Sequence, residues 1–131
     1  MSNYRGVIIE ESLEDKSVLH KVKIISTEVE EVTQSHKTPW LTQWTLHTIE
    51  IPEEQAEEIA QELSRSLETK HTSWYADYVN DKYHYIIFAD KIFKVDRNSQ
   101  EEYDKAKDYG ISIGIPEYQV DFHLAVQEWE R

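Results

Sequence analysis

Three β-rich runs separated by two short polar turns lie in the middle of this 131-residue chain. The runs are residues 74–79, 83–88 and 91–95, and each is rich in aromatic and β-branched side chains. Asn80-Asp81 and Ala89-Asp90 separate them, and pairs of this kind are typical of two-residue hairpin turns. The pattern predicts a three-stranded antiparallel meander that needs other elements to cover at least one of its faces.

The first half of the chain contains the signals of three further strands and one helix. Residues 5–10, 18–32 and 41–51 favour strands, and the second of these is expected to bulge near Ile24 and Ile25. Pro52, the glutamates that follow it and an apolar repeat at helical spacing predict a helix over residues 53–68. The polar residues 33–38 indicate a loop that ends just before Trp40.

A second helix and a tail follow the meander. Ser99 is placed to cap this helix, with Glu102 as its capping-box partner and Gly110 as its stop signal. Residues 116–129 fit helical spacing slightly better than strand alternation, and both alternatives stay open. The order βββαβββα plus this tail predicts a single α+β domain over residues 1–131. Its sheet is expected to be mostly antiparallel, with both main helices packed on one face.

The composition limits the expected partners and location of the protein. With 26 acidic and 14 basic residues, the chain has a formal net charge of −12 and no long basic run, so nucleic-acid binding is not expected. The absence of cysteine excludes disulfides and thiolate sites. The sequence has neither a secretory leader pattern nor an apolar stretch of membrane-spanning length, so it predicts a cytoplasmic protein without a membrane partner.

Two-residue turns determine which side chains of the meander share a face. Opposite residues in an antiparallel hairpin have numbers that add to a constant, so Asp77 is expected opposite His84. By the same count, Ile87 is expected opposite Ile92 across the second turn. One face is then apolar apart from Asp77 and His84, whereas the other is strongly aromatic.

The aromatic face is the first candidate binding surface. A helix with one apolar stripe covers one face of a sheet, so we expect the aromatic face to be partly exposed or to line a cleft. Tyr and Trp combine an apolar body with a polar tip, which suits the binding of flat ligands or partner proteins. The candidate ligand-binding residues are Trp40, Trp44, Trp74, Tyr78, Tyr83 and Tyr85. Alternatively, these rings only stabilise the hairpins within the core.

The predicted pairing also brings a carboxylate next to an imidazole. Asp77 would orient His84 and allow it to act as a general acid or base, so these two are the candidate catalytic residues. No nucleophile is placed beside them by spacing, and a structural bridge between two half-buried polar groups is the commoner arrangement. The sequence therefore leaves the question of an enzyme open and favours a protein without catalytic activity.

Sequence motifs for metals and nucleotides are absent. The six histidines include no helical i, i+4 pair, and no acidic loop has the spacing of a calcium site. The three glycines do not cluster before a helix, so the chain has neither a phosphate-binding loop nor a dinucleotide fingerprint. We therefore expect no metal and no cofactor.

Three hypotheses of function follow from these features. The first is a module that binds a small molecule or a partner protein through the aromatic face. The second is a small enzyme that uses His84 as its general acid or base. The third is an acidic decoy or inhibitor of a basic partner, suggested by the glutamates of the helix at residues 53–68. A homo-oligomer formed through a sheet edge or the aromatic face is compatible with each of them.

Overall fold

The computed structural model describes residues 3–32, 41–69 and 73–115. These residues form an antiparallel sheet whose strands are β1 (Tyr4–Ile9), β2 (Lys23–Glu31), β3 (Gln43–Ile51), β4 (Tyr75–Val79), β5 (Tyr83–Phe88) and β6 (Lys91–Asp96). Helix α1 (Ala56–Ser66) follows β3, and helix α2 (Gln100–Ser112) follows β6. The predicted α+β class and antiparallel sheet are confirmed. The predicted loop at residues 33–38, Trp40 and the tail at residues 116–129 lie outside the described residues.

The strand order is β2-β3-β1-β4-β5-β6, so β1 lies between β3 and β4 in the interior of the sheet. Its side chains alternate, and Tyr4 and Ile8 are buried on one face. Gly6 lies between them, where β4 comes very close to β1. A Cβ atom at this position would overlap the backbone oxygen of Asp77 and lie 2.6 Å from Cα of Tyr78. The close pairing of β1 with β4 therefore requires glycine at position 6.

Helix α1 covers one face of the sheet. It buries a stripe of apolar side chains at helical spacing, formed by Ala56, Ile59, Ala60 and Leu63. This stripe belongs to the same core as Tyr4, Ile49 and Ile87 on the strands. The Tyr78 hydroxyl donates a 2.5 Å hydrogen bond to the carbonyl oxygen of Ala56, so the buried phenol is satisfied at the start of the helix.

Helix α2 covers the opposite face of the sheet. Its buried side chains form a second core with β5 and β6, made of Ile86, Phe88, Val95, Tyr103, Ala106 and Ile115. The prediction that both helices share a face is therefore wrong. The reason lies in β5, which is buried on both sides from His84 to Phe88. A strand that is apolar on both faces needs a cover on each of them.

The first hairpin of the meander differs in register from the prediction, whereas the second agrees with it. Ile87 lies opposite Ile92, as expected. Across the first turn, however, Asp77 lies opposite Ile86 and not opposite His84. The pairing is shifted by two residues, and an even shift leaves every side chain on its predicted face. The division into an aromatic face and a face with Asp77 and His84 is therefore present.

The side chain of Asn80 explains the shift. Its Oδ1 accepts hydrogen bonds of 2.9 Å and 2.8 Å from the backbone amides of Lys82 and Tyr83. Asn80 therefore begins the turn, because its side chain takes the place of a backbone carbonyl in binding these amides. In the second turn, Asp90 adopts a left-handed conformation with φ of 61°, which Asp tolerates better than most residues.

The strand predicted at residues 18–32 is shorter than expected. Its first part is a 3-10 turn over Lys16–His20, and the strand begins only at Lys23. Val18 is fully buried in this turn. An apolar residue at this position fits the alternation of a strand in the sequence, although its backbone forms a turn. The predicted bulge is confirmed, because the pairing of β2 with β3 shifts between Ile24 and Ser26.

The two ends of α2 illustrate one correct and one wrong prediction. The hydroxyl of Ser99 accepts a 3.2 Å hydrogen bond from the amide of Glu102, so Ser99 is the N-cap as predicted. Gly110 does not stop the helix, because it is a buried residue within it. The chain turns at Gly114, where φ is 99° and glycine is favoured.

Candidate functional site

Asp77 and His84 contact each other inside the protein. Nε2 of His84 lies 2.7 Å from Oδ2 of Asp77, and Nδ1 lies 3.1 Å from the hydroxyl of Tyr103. A neutral ring that donates a hydrogen bond to the carboxylate from Nε2 can accept one from the Tyr103 hydroxyl at Nδ1. His84 is 0% exposed and Asp77 is 8% exposed. The predicted contact is thus present, although it is diagonal and not directly across the hairpin.

This buried chain of contacts links three elements of the fold. Asp77 lies on β4, His84 on β5 and Tyr103 on α2, so the hydrogen bonds tie the helix to the sheet. Burial raises the pKa of the Tyr103 hydroxyl to about 12, which keeps it protonated at neutral pH. A catalytic role for His84 stays a prediction, and the burial of its ring gives that role no support.

The candidate aromatic residues do not line one common surface. Tyr78 and Tyr85 are 0% and 3% exposed, and their rings contact each other and Tyr4 in the core under α1. Tyr83 is exposed at the edge of this group, with Nζ of Lys94 4.4 Å from the centre of its ring. Tyr78 and Tyr85, which the sequence assigns to a binding cleft, are therefore packed in the core.

The tryptophans form a separate pair. Trp74 is buried, and its indole donates a 3.0 Å hydrogen bond to the Glu68 carboxylate. The half-buried Trp44 meets it edge to face, with 5.5 Å between the ring centres. Trp40 lies outside the described residues. The role of these six aromatic residues in ligand binding stays a prediction, and Tyr83 is the exposed ring among those described.

Strand β2 presents a surface that the sequence patterns do not reveal. All nine of its residues are exposed, and β2 is an edge strand of the sheet that the described residues form. Ile24, Ile25 and Val29 are 41%, 42% and 61% exposed. In the described part of the chain, they are three of the five large hydrophobic residues with exposed side chains. Exposed apolar side chains are thus concentrated on one strand at one edge.

The opposite edge of the sheet is protected differently. Strand β6 has six residues, and it carries lysines at positions 91 and 94. Lysine on an edge strand discourages pairing with other chains. Helix α2 also packs against this side, where Val95 is buried with Tyr103. The contrast shows that only one of the two sheet edges formed by the described residues combines length with exposed apolar side chains.

A second histidine holds β2 in place. Nδ1 of His47 lies 2.8 Å from Oγ1 of Thr27, and Nε2 lies 2.9 Å from Oε1 of Glu10. His47 lies on β3 and is only 7% exposed, so this chain of contacts connects β2 to the residue that follows β1. The contacts are typical of a side-chain network that fixes the position of a strand.

Charges are unevenly distributed along β2. Its sequence KIISTEVEE contains three glutamates in the second half and one lysine at the start. This lysine, Lys23, lies opposite Glu50 of β3. A hydrogen bond from Asn3 and, to a smaller extent, the charge of Lys23 lower the pKa of the Glu50 carboxyl. Since its lysine is near an acidic neighbour, the accessible edge combines apolar side chains with net negative charge.

A shallow cavity of about 490 Å³ lies between β6 and the first half of α2. Its lining residues are Phe93, Lys94, Val95, Ser99, Glu101, Glu102 and Lys105. Neither His84 nor any of the five candidate aromatic residues within the described ranges takes part in this lining. The mixture of lysines and glutamates gives the cavity no preference for either sign of charge.

Metal-binding and membrane-spanning features are absent from the described residues. Within residues 3–32, 41–69 and 73–115, no group of three or more His, Asp or Glu side chains is arranged to hold a metal ion. Neither described helix is long and apolar enough to cross a membrane.

Comparisons with protein-family models, with curated proteins and with solved structures found no match for this chain. Its function therefore has to be inferred from the geometry and charge of the molecule itself.

Proposed function

We propose that this chain is a protein-interaction module that binds an extended segment of a partner along the outer edge of β2. The segment would add to the sheet as a further strand next to β2. Backbone hydrogen bonds provide affinity in this type of binding, and side chains of alternate residues provide selectivity.

The observation that supports this proposal most directly is the exposure of all nine residues of β2. An edge strand has a row of backbone N–H and C=O groups that no neighbouring strand pairs. Among the described residues, no strand lies on the outer side of β2. A long edge that also exposes Ile24, Ile25 and Val29 is a template for another strand, and natural proteins usually block such edges.

The attachment of β2 to the sheet supports the same function. Thr27 contacts His47, and His47 contacts Glu10, so the middle of β2 is held by side chains as well as by backbone pairing. On the adjacent β3, Thr45 donates hydrogen bonds from its amide and its hydroxyl to the carboxylate of Glu11. A strand that is ordered before binding loses less conformational entropy when the partner adds to it.

A direct test uses a labelled peptide of about nine residues, the length of β2, in which Thr and Val alternate. Fluorescence anisotropy measures its affinity for the protein. We expect the substitution Val29→Lys to weaken binding at least about tenfold, because a lysine on the edge opposes strand addition. Val29 is 61% exposed, so the folded state is expected to tolerate this change.

Ile111→Lys is the matched control. Ile111 is 41% exposed on α2, so this variant replaces an exposed apolar residue and adds the same charge far along the chain from β2. A second control is the same peptide with alternate backbone amides methylated, which keeps its side chains and removes ladder donors. Equal weakening by Ile111→Lys, or equal affinity of the methylated peptide, would contradict strand addition at β2.

A further inference from the structure

We infer that the segment bound by β2 alternates basic and apolar side chains, with the basic residues on the side of the sheet to which Glu28 projects. This inference rests on the proposed function, since it assumes that the partner adds as a strand. It assigns to the site a partner of defined chemistry, namely an extended Lys- or Arg-containing segment.

The pairing of β2 with β3 sorts the side chains of β2 onto two faces. Ile24 lies opposite Ile49 and Val29 lies opposite Thr45, and Ile49 and Thr45 alternate on β3 so that both pairs project to the same side of the sheet. We call this side the apolar face of β2. Glu28 and Glu30 lie opposite Leu46 and Trp44 and project to the other side, which we call the acidic face of β2. Lys23 shares this side at the start of the strand, and Glu31, opposite Gln43, lies on the side of Val29 at its end.

A strand added at the edge continues both faces. Neighbouring side chains on adjacent strands lie about 4.5–5.5 Å apart and share a face, and opposite charges in such positions attract. Partner residues next to Glu28, on the same side of the sheet, would therefore be basic. The residues between them project to the apolar face, where they would cover Ile24 and Val29. Side chains alternate along a strand, so the partner has to alternate in the same way.

The charge of the whole molecule favours the same partner. The chain has a formal net charge of −12, which attracts a basic segment before contact and raises its rate of association. A second copy of the chain fits less well, because two molecules of this charge repel each other. Each β2 strand would also bring three glutamates and one lysine to the interface. The basic segment is thus the occupant that the observations favour.

The test compares three labelled peptides of about nine residues that match β2 in length. Val occupies alternate positions in each, and the remaining positions are Lys, Thr or Glu. We expect the Lys peptide to bind roughly tenfold more tightly than the Thr peptide, and the Glu peptide to bind more weakly still. At about 0.5 M NaCl the difference between the Lys and Thr peptides is expected to shrink, because salt screens exposed charges.

A charge variant locates the preference on the acidic face of β2. Glu28→Gln is expected to lower the affinity for the Lys peptide several-fold and to leave the affinity for the Thr peptide unchanged. Glu101→Gln is the matched control, because Glu101 is an exposed glutamate at the start of α2. A loss of affinity that is equal in the two variants would overturn the inference, because a general attraction to an acidic protein would then explain it.

Each failure has a distinct signature. Equal binding of all three peptides, still weakened by Val29→Lys, overturns the basic partner and leaves strand addition intact. A second result is sedimentation that detects a dimer of the unmodified chain, which Val29→Lys dissociates and the Lys peptide does not. This result identifies a second copy as the occupant and also overturns the basic partner. Peptide binding that Val29→Lys does not change overturns the proposed function itself.

Discussion

His84 and Asp77 form a hydrogen bond of 2.7 Å although they are diagonal neighbours across the hairpin. Directly across from Asp77 lies Ile86, and directly across from His84 lies Val79. The long imidazole spans the diagonal, which is within reach of large side chains on adjacent strands. Asp77 and His84 therefore satisfy each other's hydrogen-bonding groups within an otherwise apolar core beneath α2.

Removal of this carboxylate is expected to destabilise the protein. Asp77→Ala removes the carboxylate that Nε2 of the buried His84 contacts, which we expect to lower the free energy of unfolding by about 3 kcal/mol. Urea unfolding followed by circular dichroism measures the change. Asp108→Ala, at an exposed position on α2, serves as the control and is expected to change stability by less than about 0.5 kcal/mol. Similar values for the two variants would contradict a structural role for Asp77.

Substitution of Gly6 is expected to disrupt the sheet. A Cβ atom at Gly6 would collide with backbone atoms of β4, which have no room to move without breaking the ladder. We expect Gly6→Ala to cost about 3 kcal/mol or more. At Gly114, by contrast, no atom lies within 4 Å of the position that a Cβ atom would occupy, so Gly114→Ala adds only the strain of a φ of 99°. Equal thermal stability of the two variants would contradict the close pairing of β1 with β4.

Alkaline pH is expected to unfold the protein through its buried tyrosines. Burial raises the pKa of Tyr103 to about 12 and also raises the pKa of Tyr4, Tyr75 and Tyr78, whereas an unfolded chain ionises its tyrosines near pH 10. The folded state therefore holds these protons more tightly. The contribution of these protonated tyrosines to the free energy of unfolding is fully present below about pH 10. It is lost as the pH rises toward 12.

Ultraviolet absorbance and circular dichroism recorded on the same samples test this prediction. Ionisation of the buried tyrosines should coincide with the loss of secondary structure. If nearly all tyrosine absorbance changes near pH 10 while the circular dichroism signal persists, the phenols are not buried as described.

The contact of Thr27 with His47 is expected to hold the middle of β2 in place. Thr27→Val keeps a β-branched side chain and removes the hydroxyl, so amide hydrogen exchange in β2 should become about fivefold faster. Ser26→Ala is the control on the same strand and is expected to leave exchange unchanged. Identical exchange rates in both variants would show that the His47 chain of contacts does not stabilise β2.

Much of the fold is predictable because local signals and tertiary packing agree. The apolar stripe of α1, the Ser99 cap and the second turn of the meander each depend on residues close together in the sequence. The register of the first turn is harder to predict, because Asn80 uses its side chain to bind two amides and residue type alone does not reveal this choice.

The candidate site is harder to predict than the fold because exposure depends on strand order. Residues 74–88 alternate correctly, yet both of their faces are covered, since α1 and α2 pack on opposite sides. Strand β2 has the composition of a half-buried strand, and only the order of the sheet shows that it lies at an edge. Tyr78 and Tyr85 are consequently core residues, while Ile25 and Val29 are surface residues.

Nuclear magnetic resonance of the isotope-labelled protein, titrated with the alternating Lys and Val peptide, shows directly whether a strand adds to β2. If a partner strand adds at the edge, backbone amide shifts should change across residues 23–31 and across the adjoining part of β3. Amides of β6 and α2 should stay unchanged. Shift changes centred on the cavity between β6 and α2, with β2 unaffected, would contradict strand addition at β2.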